Sequence, residues 1–468
     1  MSSPLITESQ GNWRPIFWLT LPVLAEETLT LMVTWTDWWL TGQYLVEDGD
    51  AVKAAMGLMA YTMWLIPSLF AAVAIGATAV IARRVGGGHR RVARQVANQA
   101  VMSGIILAGL ITLATAGWGP AYIEVMQLRG GAAEYAAEYL AIVLPVIPLI
   151  MLEQVGAACL RGAGDMVTGF VVKSIVVVIN MVVSFCLVTG FGGIEPWGWQ
   201  GIAMGTAVGH GAGGTIMLLA LWRGRYGLGL HVRLMRPRMS IIRQIMKIGI
   251  PGGMDVAVLL FSNLVFVAIV NSLGTAAAAA HGLGVQLEAC AFLPANAFAV
   301  AAATLTGQYL GAGRPRRATH AAVACIGLAV LVVSVVAVLI YFGAVDFVTF
   351  FTNQPDSPTT IQVVHLLRIV VFALPSLAII MVTTGALRGA GDTIWPLLFT
   401  ISGFALIRIP LAVWMSMDVV HIPGTDWSLR GLGWGVEGAW IAMALDLVIR
   451  SLMVLVRFGH GGWKHKNV

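Results

Sequence analysis

The chain has 468 residues, of which 58% are hydrophobic and 11% charged, with a mean hydropathy of +0.85. Soluble globular chains carry about a quarter charged residues, so a water-soluble fold is excluded. The net charge of +6 would suggest nucleic acid as a partner in a soluble protein, but here its placement along the chain argues for membrane topology instead.

A helix needs roughly 20 apolar residues to cross a bilayer. Apolar stretches between polar breaks predict spans near 14–41, 54–82, 95–117, 134–158, 168–190 and 199–222. A second set follows near 243–272, 277–309, 318–345, 361–385, 394–417 and 434–457. The first span holds Pro22, Glu26, Glu27 and Asp37 and has no small-residue cleavage site, so it reads as a true span and not as a removable signal. Most Lys and Arg fall on alternate connections. They include Arg83, Arg84, Arg90, Arg91 and Arg94, the segment 223–247, Arg314, Arg316 and Arg317, and Arg450, Arg457, Lys464 and Lys466. By the positive-inside rule both termini are cytoplasmic and the protein is a multi-pass protein of the plasma (inner) membrane.

The chain is duplicated. Leu160-Arg161-Gly162-Ala163-Gly164-Asp165 recurs as Leu387-Arg388-Gly389-Ala390-Gly391-Asp392, and the same offset relates Pro148 to Pro375 and Pro67 to Pro294. Gly86-Gly87-Gly88 with Arg90-Arg91 matches Gly311-Ala312-Gly313 with Arg316-Arg317. Each repeat holds an even number of spans, so the two run parallel about an axis along the membrane normal. The expected fold is an all-α integral membrane protein with twelve transmembrane helices in two six-helix lobes around a central cavity. Residues 1–222 form the first lobe, 223–240 a basic cytoplasmic connection, and 241–468 the second lobe. Gly201, Gly205, Gly209 and Gly213, four apart on the sixth span, read as a row for close helix packing within a lobe.

Thr304-Leu305-Thr306-Gly307-Gln308-Tyr309-Leu310-Gly311-Ala312-Gly313-Arg314 resembles the Gln-x-Leu-Gly-Ala-Gly signature of the multidrug and toxic compound extrusion family. Both Leu-Arg-Gly-Ala-Gly-Asp copies fit that family's turn between the fourth and fifth helix of each lobe. Pro22, Asp37 and Leu40-Thr41-Gly42 resemble its first helix. The resemblance implies a secondary antiporter that exports amphipathic or cationic small molecules by alternating access, driven by inward proton flow or, alternatively, sodium flow. It implies a monomer in contact with membrane lipid, with no nucleic-acid partner and no cofactor beyond the coupling ion. Relatives in the same superfamily flip lipid-linked precursors and grip pyrophosphate with several basic residues. Here only Arg368 and Arg408 fall within predicted spans away from their cytoplasmic ends, which favours a cationic substrate. An enzyme is not expected: no His-Glu-x-x-His, Gly-x-Ser-x-Gly or Walker motif occurs.

Ionisable groups inside a membrane are functional candidates by default. Asp37, in Thr34-Trp35-Thr36-Asp37-Trp38-Trp39, is the leading one. A carboxylate in a poorly hydrated place can take up a proton and release it when water or a cation reaches it. The resemblance assigns proton coupling to Asp37, with Asn180 of the fifth span as its hydrogen-bond partner. One branch of the family carries an acid where this chain has Ser184. Another has acids where this chain has Leu259 and Leu377, so a sodium site of that kind in the second lobe is not expected. Glu26 and Asp255, each four residues after a paired proline, and Glu288 are candidates for substrate binding. Trp35, Trp64 and Met63 are candidates for the cavity wall, since aromatic faces and flexible thioethers suit varied organic cations. Arg408 is a candidate ion-pair partner of Glu288, and Arg368 with His365 could serve similarly. Cys159, Cys186, Cys290 and Cys325 are spaced singly and suggest neither disulfides nor a metal site.

Overall fold

A computed structural model describes residues 14–45, 49–126, 128–193, 195–352, 358–421 and 428–466. The first half folds as α1 (Arg14–Tyr44), α2 (Gly49–Leu69), α3 (Ala71–Gly86), α4 (Arg90–Val125), α5 (Gly131–Val143), α6 (Ile147–Ala163), α7 (Val167–Thr189) and α8 (Trp199–Trp222). The second half follows as α9 (Met239–Ser272), α10 (Thr275–Gly311), α11 (Pro315–Thr352), α12 (Pro358–Val370), α13 (Leu374–Gly389), α14 (Ile394–Ser402) and α15 (Ile409–Ser416). A short antiparallel pair, β1 (Val419–His421) and β2 (Ser428–Arg430), precedes α16 (Gly435–His460). Among the described residues eleven helices are long and apolar enough to cross a membrane, or up to twelve when α12 and α13, bent by 54°, count as one broken span. Contacts group the chain into two units, Met1–Gly253 and Met254–Val468.

Proline positions account for several of the breaks. Pro145 and Pro148 flank the junction of α5 and α6, and Pro375 begins α13 after the bend at 371–373. A proline supplies no backbone donor and crowds the preceding carbonyl, so a helix bends or restarts there. Pro67 and Pro294 occupy matching places, yet α2 ends at Leu69 while α10 runs on through Pro294. Residues Gly403–Arg408, between α14 and α15, form a π-helical segment just ahead of Pro410.

The repeated hexapeptide is a helix stop, and each position has a task. Gly164 takes φ +94° and Gly391 φ +83°, a left-handed geometry open to glycine. In the first copy Gly164 N donates to Arg161 O and Asp165 N to Leu160 O. In the second, Gly391 N donates to Arg388 O and Asp392 N to Leu387 O, so both copies close the last carbonyls of the helix. At Gly162 a Cβ would lie 2.8 Å from Thr78 O, and at Gly389 it would collide with Ala303 O. These glycines are where neighbouring spans touch backbone to backbone. Gly389→Ala is therefore expected to destabilise the second unit by about 1–3 kcal/mol through overpacking. Thermal unfolding in detergent should show it, and an unchanged midpoint would mean that α10 and α13 can separate freely.

The aspartates of the two copies diverge. Asp165 accepts from Thr168 N at 3.0 Å, holding the start of α7, and lies 3.3 Å from Arg225 Nε. Asp392 instead receives Arg457 Nη2 at 2.6 Å and Lys466 at 3.5 Å. The connection 223–240 is pinned to α4 by two buried amides. Asn98 Nδ2 donates to Gly229 O and Asn98 Oδ1 accepts from His231 N; Gln99 bonds the backbone of Leu234, Arg236 and Arg238.

Candidate functional site

In the first unit α7 and α8 pack along the glycine row. A Cβ at Gly201 would touch Leu187, and at Gly205 it would fall on Ser184 Oγ. At Gly209 it would lie 2.9 Å from Val176 O and 3.2 Å from the Asn180 Cβ. The row thus packs within the lobe, as its spacing suggests, and it also clears room for polar side chains on α7.

Those side chains form a cluster. Thr206 on α8 receives Tyr139 Oη at 3.0 Å from α5 and Asn180 Nδ2 at 3.2 Å from α7. Asn180 Oδ1 and Ser184 Oγ are buried with no hydrogen-bond partner. Asp37 of α1 is 6% exposed, its Oδ1 has no partner, and its charge acts on the Tyr139 phenol. No basic side chain stands within 4.0 Å of Asp37 among the described residues. An unpaired carboxylate is unfavourable in so dry a place, so Asp37 is held where the fold alone gains nothing from it. The expected Asn180–Asp37 hydrogen bond is replaced by Asn180–Thr206, and Tyr139 is the member of the cluster on which the Asp37 charge acts. Tyr139 and Thr206 are neutral, and nothing in the sequence marks them.

The other candidates divide. Glu26 accepts Arg161 Nη2 at 2.6 Å, and Asp255 accepts Arg388 Nη2 at 2.7 Å. Each acid that follows a paired proline is therefore tied to the arginine of its own lobe's hexapeptide, so the duplication extends to a duplicated ion pair. Glu26 Oε2 and Asp255 Oδ1 are unpartnered like Asp37 Oδ1, but each of these two carboxylates has a cation beside it, which Asp37 lacks. Glu288 has no ion pair with Arg408 within 4.0 Å, although each acts electrostatically on the other. Arg408 is instead held by Asp446 at 2.8 Å, and Asp446 also takes Arg450 Nη2 at 2.6 Å and Nε at 2.8 Å. The ring of Phe404 lies 4.5 Å from the Arg408 guanidinium and 4.8 Å from that of Arg450. Arg450, read from sequence as part of the basic cytoplasmic end, is thus a buried member of the core. Arg368 and His365, the alternative partners for Glu288, go elsewhere: His365 is 3.0 Å from Glu437, and Arg368 sits over Tyr341 at 5.8 Å. Trp35 and Trp64 are exposed and Met63 half-buried. Trp35 borders a shallow depression of about 220 Å³ with Met32, Thr36 and Trp39.

Comparison with known proteins identifies the family. The MatE family model matches residues 22–186 and 251–414, one match in each repeat. The chain is similar to "Probable multidrug resistance protein NorM" of Thermotoga maritima, 27% identical over 96% of this chain and 93% of that protein. It is also similar to "Probable multidrug resistance protein YoeA" of Bacillus subtilis, 21% identical over 99% and 98%. Among solved structures it shares the fold of an outward-facing multidrug resistance MATE family transporter of the MOP superfamily, with TM-score 0.85 at 20% identity over 97% of both chains. A MOP superfamily transporter of Pyrococcus furiosus, described as having a binding pocket of reversed polarity, matches with TM-score 0.85 at 19% identity over 97% of both. With two model matches in register with the internal repeat, and similarity along nearly its whole length, the chain belongs to the MatE family of multidrug efflux transporters.

Proposed function

We propose that this transporter exports organic cations from the cytoplasm in exchange for protons, with Asp37 as the group that carries the coupling proton. The observation behind this reading is the buried Asp37 carboxylate, with an unpartnered oxygen and no cation beside it, next to the Tyr139–Thr206–Asn180 cluster. Asp255, by contrast, is neutralised by Arg388, and Leu259 and Leu377 stand where a sodium-binding acid would be needed in the second unit. Facing outward, Asp37 takes a proton from the external water. Facing inward, it releases that proton to the cytoplasm and the ionised carboxylate attracts the cation to be exported. The hexapeptide turns and the connection 223–240 lie at the cytoplasmic face in this reading, following the distribution of arginine.

Reconstituted protein loaded with a fluorescent organic cation tests the choice of ion. Efflux is expected when a proton gradient is imposed and not when sodium alone is imbalanced. Sodium-driven efflux at constant pH would overturn the assignment of the ion. Absence of any cation efflux would redirect attention to lipid-linked substrates.

A further inference from the structure

Glu153 of α6 and His210 of α8 form a carboxylate–imidazole pair that the coupling site does not use. His210 Nδ1 lies 3.0 Å from Glu153 Oε2 and 3.2 Å from Oε1, with side-chain exposures of 17% and 8%. His210 stands halfway along α8, so the pair lies at mid-depth of its span. Two ionisable residues in that position call for a role beyond packing. The glycine row is cut for them as well: a Cβ at Gly213 would lie 2.5 Å from Glu153 Oε1 and 2.9 Å from its Cδ.

The pair continues the seam that begins at Asp37. Thr206 and His210 are four apart on α8 and so lie one turn apart on the same face. Glu153 and Arg161 share a face of α6 two turns apart, and Arg161 holds Glu26. The ionisable groups along this seam include Asp37, Glu26 and Glu27 from α1, Tyr139 from α5, Glu153 and Arg161 from α6, and His210 from α8. From α7 come the neutral Asn180 and Ser184, with Lys173 one turn before Val177. The helices α3 and α4 meet α6 through Thr78, which donates to Ala158 O, and through Gly104 against Met151.

We infer that Glu153 and His210 together hold a second exchangeable proton, an inference that rests on the proton-coupled reading above. An ionised glutamate with a neutral imidazole takes up one proton to become a net-neutral pair. Two protons then enter, one on Asp37 and one on the pair, while one monovalent cation leaves. Each cycle moves one net positive charge inward, and export draws on the membrane potential.

The test uses proteoliposomes with the potential clamped by potassium and valinomycin at equal pH on both sides. A two-proton exchanger shifts the limiting cation gradient by about 50-fold per 100 mV; a one-proton exchanger does not respond. The wild type is expected to respond. Glu153→Gln/His210→Gln, in which an amide–amide hydrogen bond can replace the pair, should lose that response yet still export when a pH difference is imposed. His210→Gln alone, whose amide can still donate to Glu153, should weaken the response and guards against misfolding of the double variant. A wild type driven by pH difference but indifferent to potential would overturn the inference while leaving Asp37 coupling intact. So would a double variant that keeps the full response. A wild type deaf to both pH difference and potential would instead bring down the underlying proton-coupled reading.

Discussion

Asp37→Asn is expected to reduce proton-driven cation efflux at least 100-fold, to the level of empty liposomes, while the protein folds and stays folded. The amide has nearly the same shape and still offers an oxygen and a donor, but it has no proton to exchange near neutral pH. The two consequences should carry opposite signs. The Asp37 Oδ1 is buried without a partner, and a buried unsatisfied polar atom costs about 1–3 kcal/mol. Asparagine carries no charge to bury in that dry position, so the variant is expected to unfold at the same temperature as the wild type or higher. Activity lost together with stability would point to a structural role for Asp37 and remove it from the coupling site. Thr206→Val separates carboxylate from cluster. It removes the acceptor shared by Tyr139 and Asn180 while leaving Asp37 in place, so a partial loss of a few-fold is expected. If Thr206→Val were as inactive as Asp37→Asn, the proton would have to reside on the cluster.

The fold was legible because its information is long-range and redundant. Apolar stretches mark spans without any pairing pattern to solve. The repeat of Leu160–Asp165 at Leu387–Asp392 fixes which span answers to which, and basic connections alternate with apolar ones. Asp37 was legible for a similar reason, as a carboxylate where hydrocarbon is expected. Partners were not legible. Arg161 and Arg388 read as turn residues at a membrane surface, yet they reach Glu26 and Asp255 across more than a hundred residues. Only tertiary packing brings those pairs together. Glu153, His210 and Asp446 obey the same rule that singles out Asp37, each being ionisable within a span, and a search by charge alone would have found them. Tyr139 and Thr206 carry no such signal, because neutral hydroxyl groups are ordinary in membrane helices. The misreading of Arg450 has a simple cause: its position near the end of the last span suited an interfacial arginine, whereas Asp446, four residues earlier on the same face, holds it in the core.

Asp446→Ala is expected to cause the largest loss of stability of any single change in the second unit. Asp446 is fully buried and accepts hydrogen bonds from Arg408 and Arg450 at once. Removing it leaves two guanidinium groups facing each other over Phe404, where water cannot replace the carboxylate. Breaking a buried ion pair from one side costs about 3–5 kcal/mol, a large share of the 5–15 kcal/mol that stabilises a typical domain. Little folded protein should survive extraction into detergent. Replacing the whole triad is a different matter, because apolar residues of similar volume carry no desolvation penalty. Arg408→Met/Asp446→Leu/Arg450→Met should therefore recover much of what Asp446→Ala loses. The recovery should be incomplete, for a reason visible in the charges. Two arginines and one aspartate leave one positive charge in excess, and Glu288 is the carboxylate that feels it through Arg408. In the triple variant Glu288 loses that compensation. Adding Glu288→Gln should raise the unfolding temperature of the triple variant while lowering that of the wild type. Equal effects of Glu288→Gln in both backgrounds would mean that Glu288 is solvated independently of the triad, and would return it to the list of groups free to meet a cationic substrate.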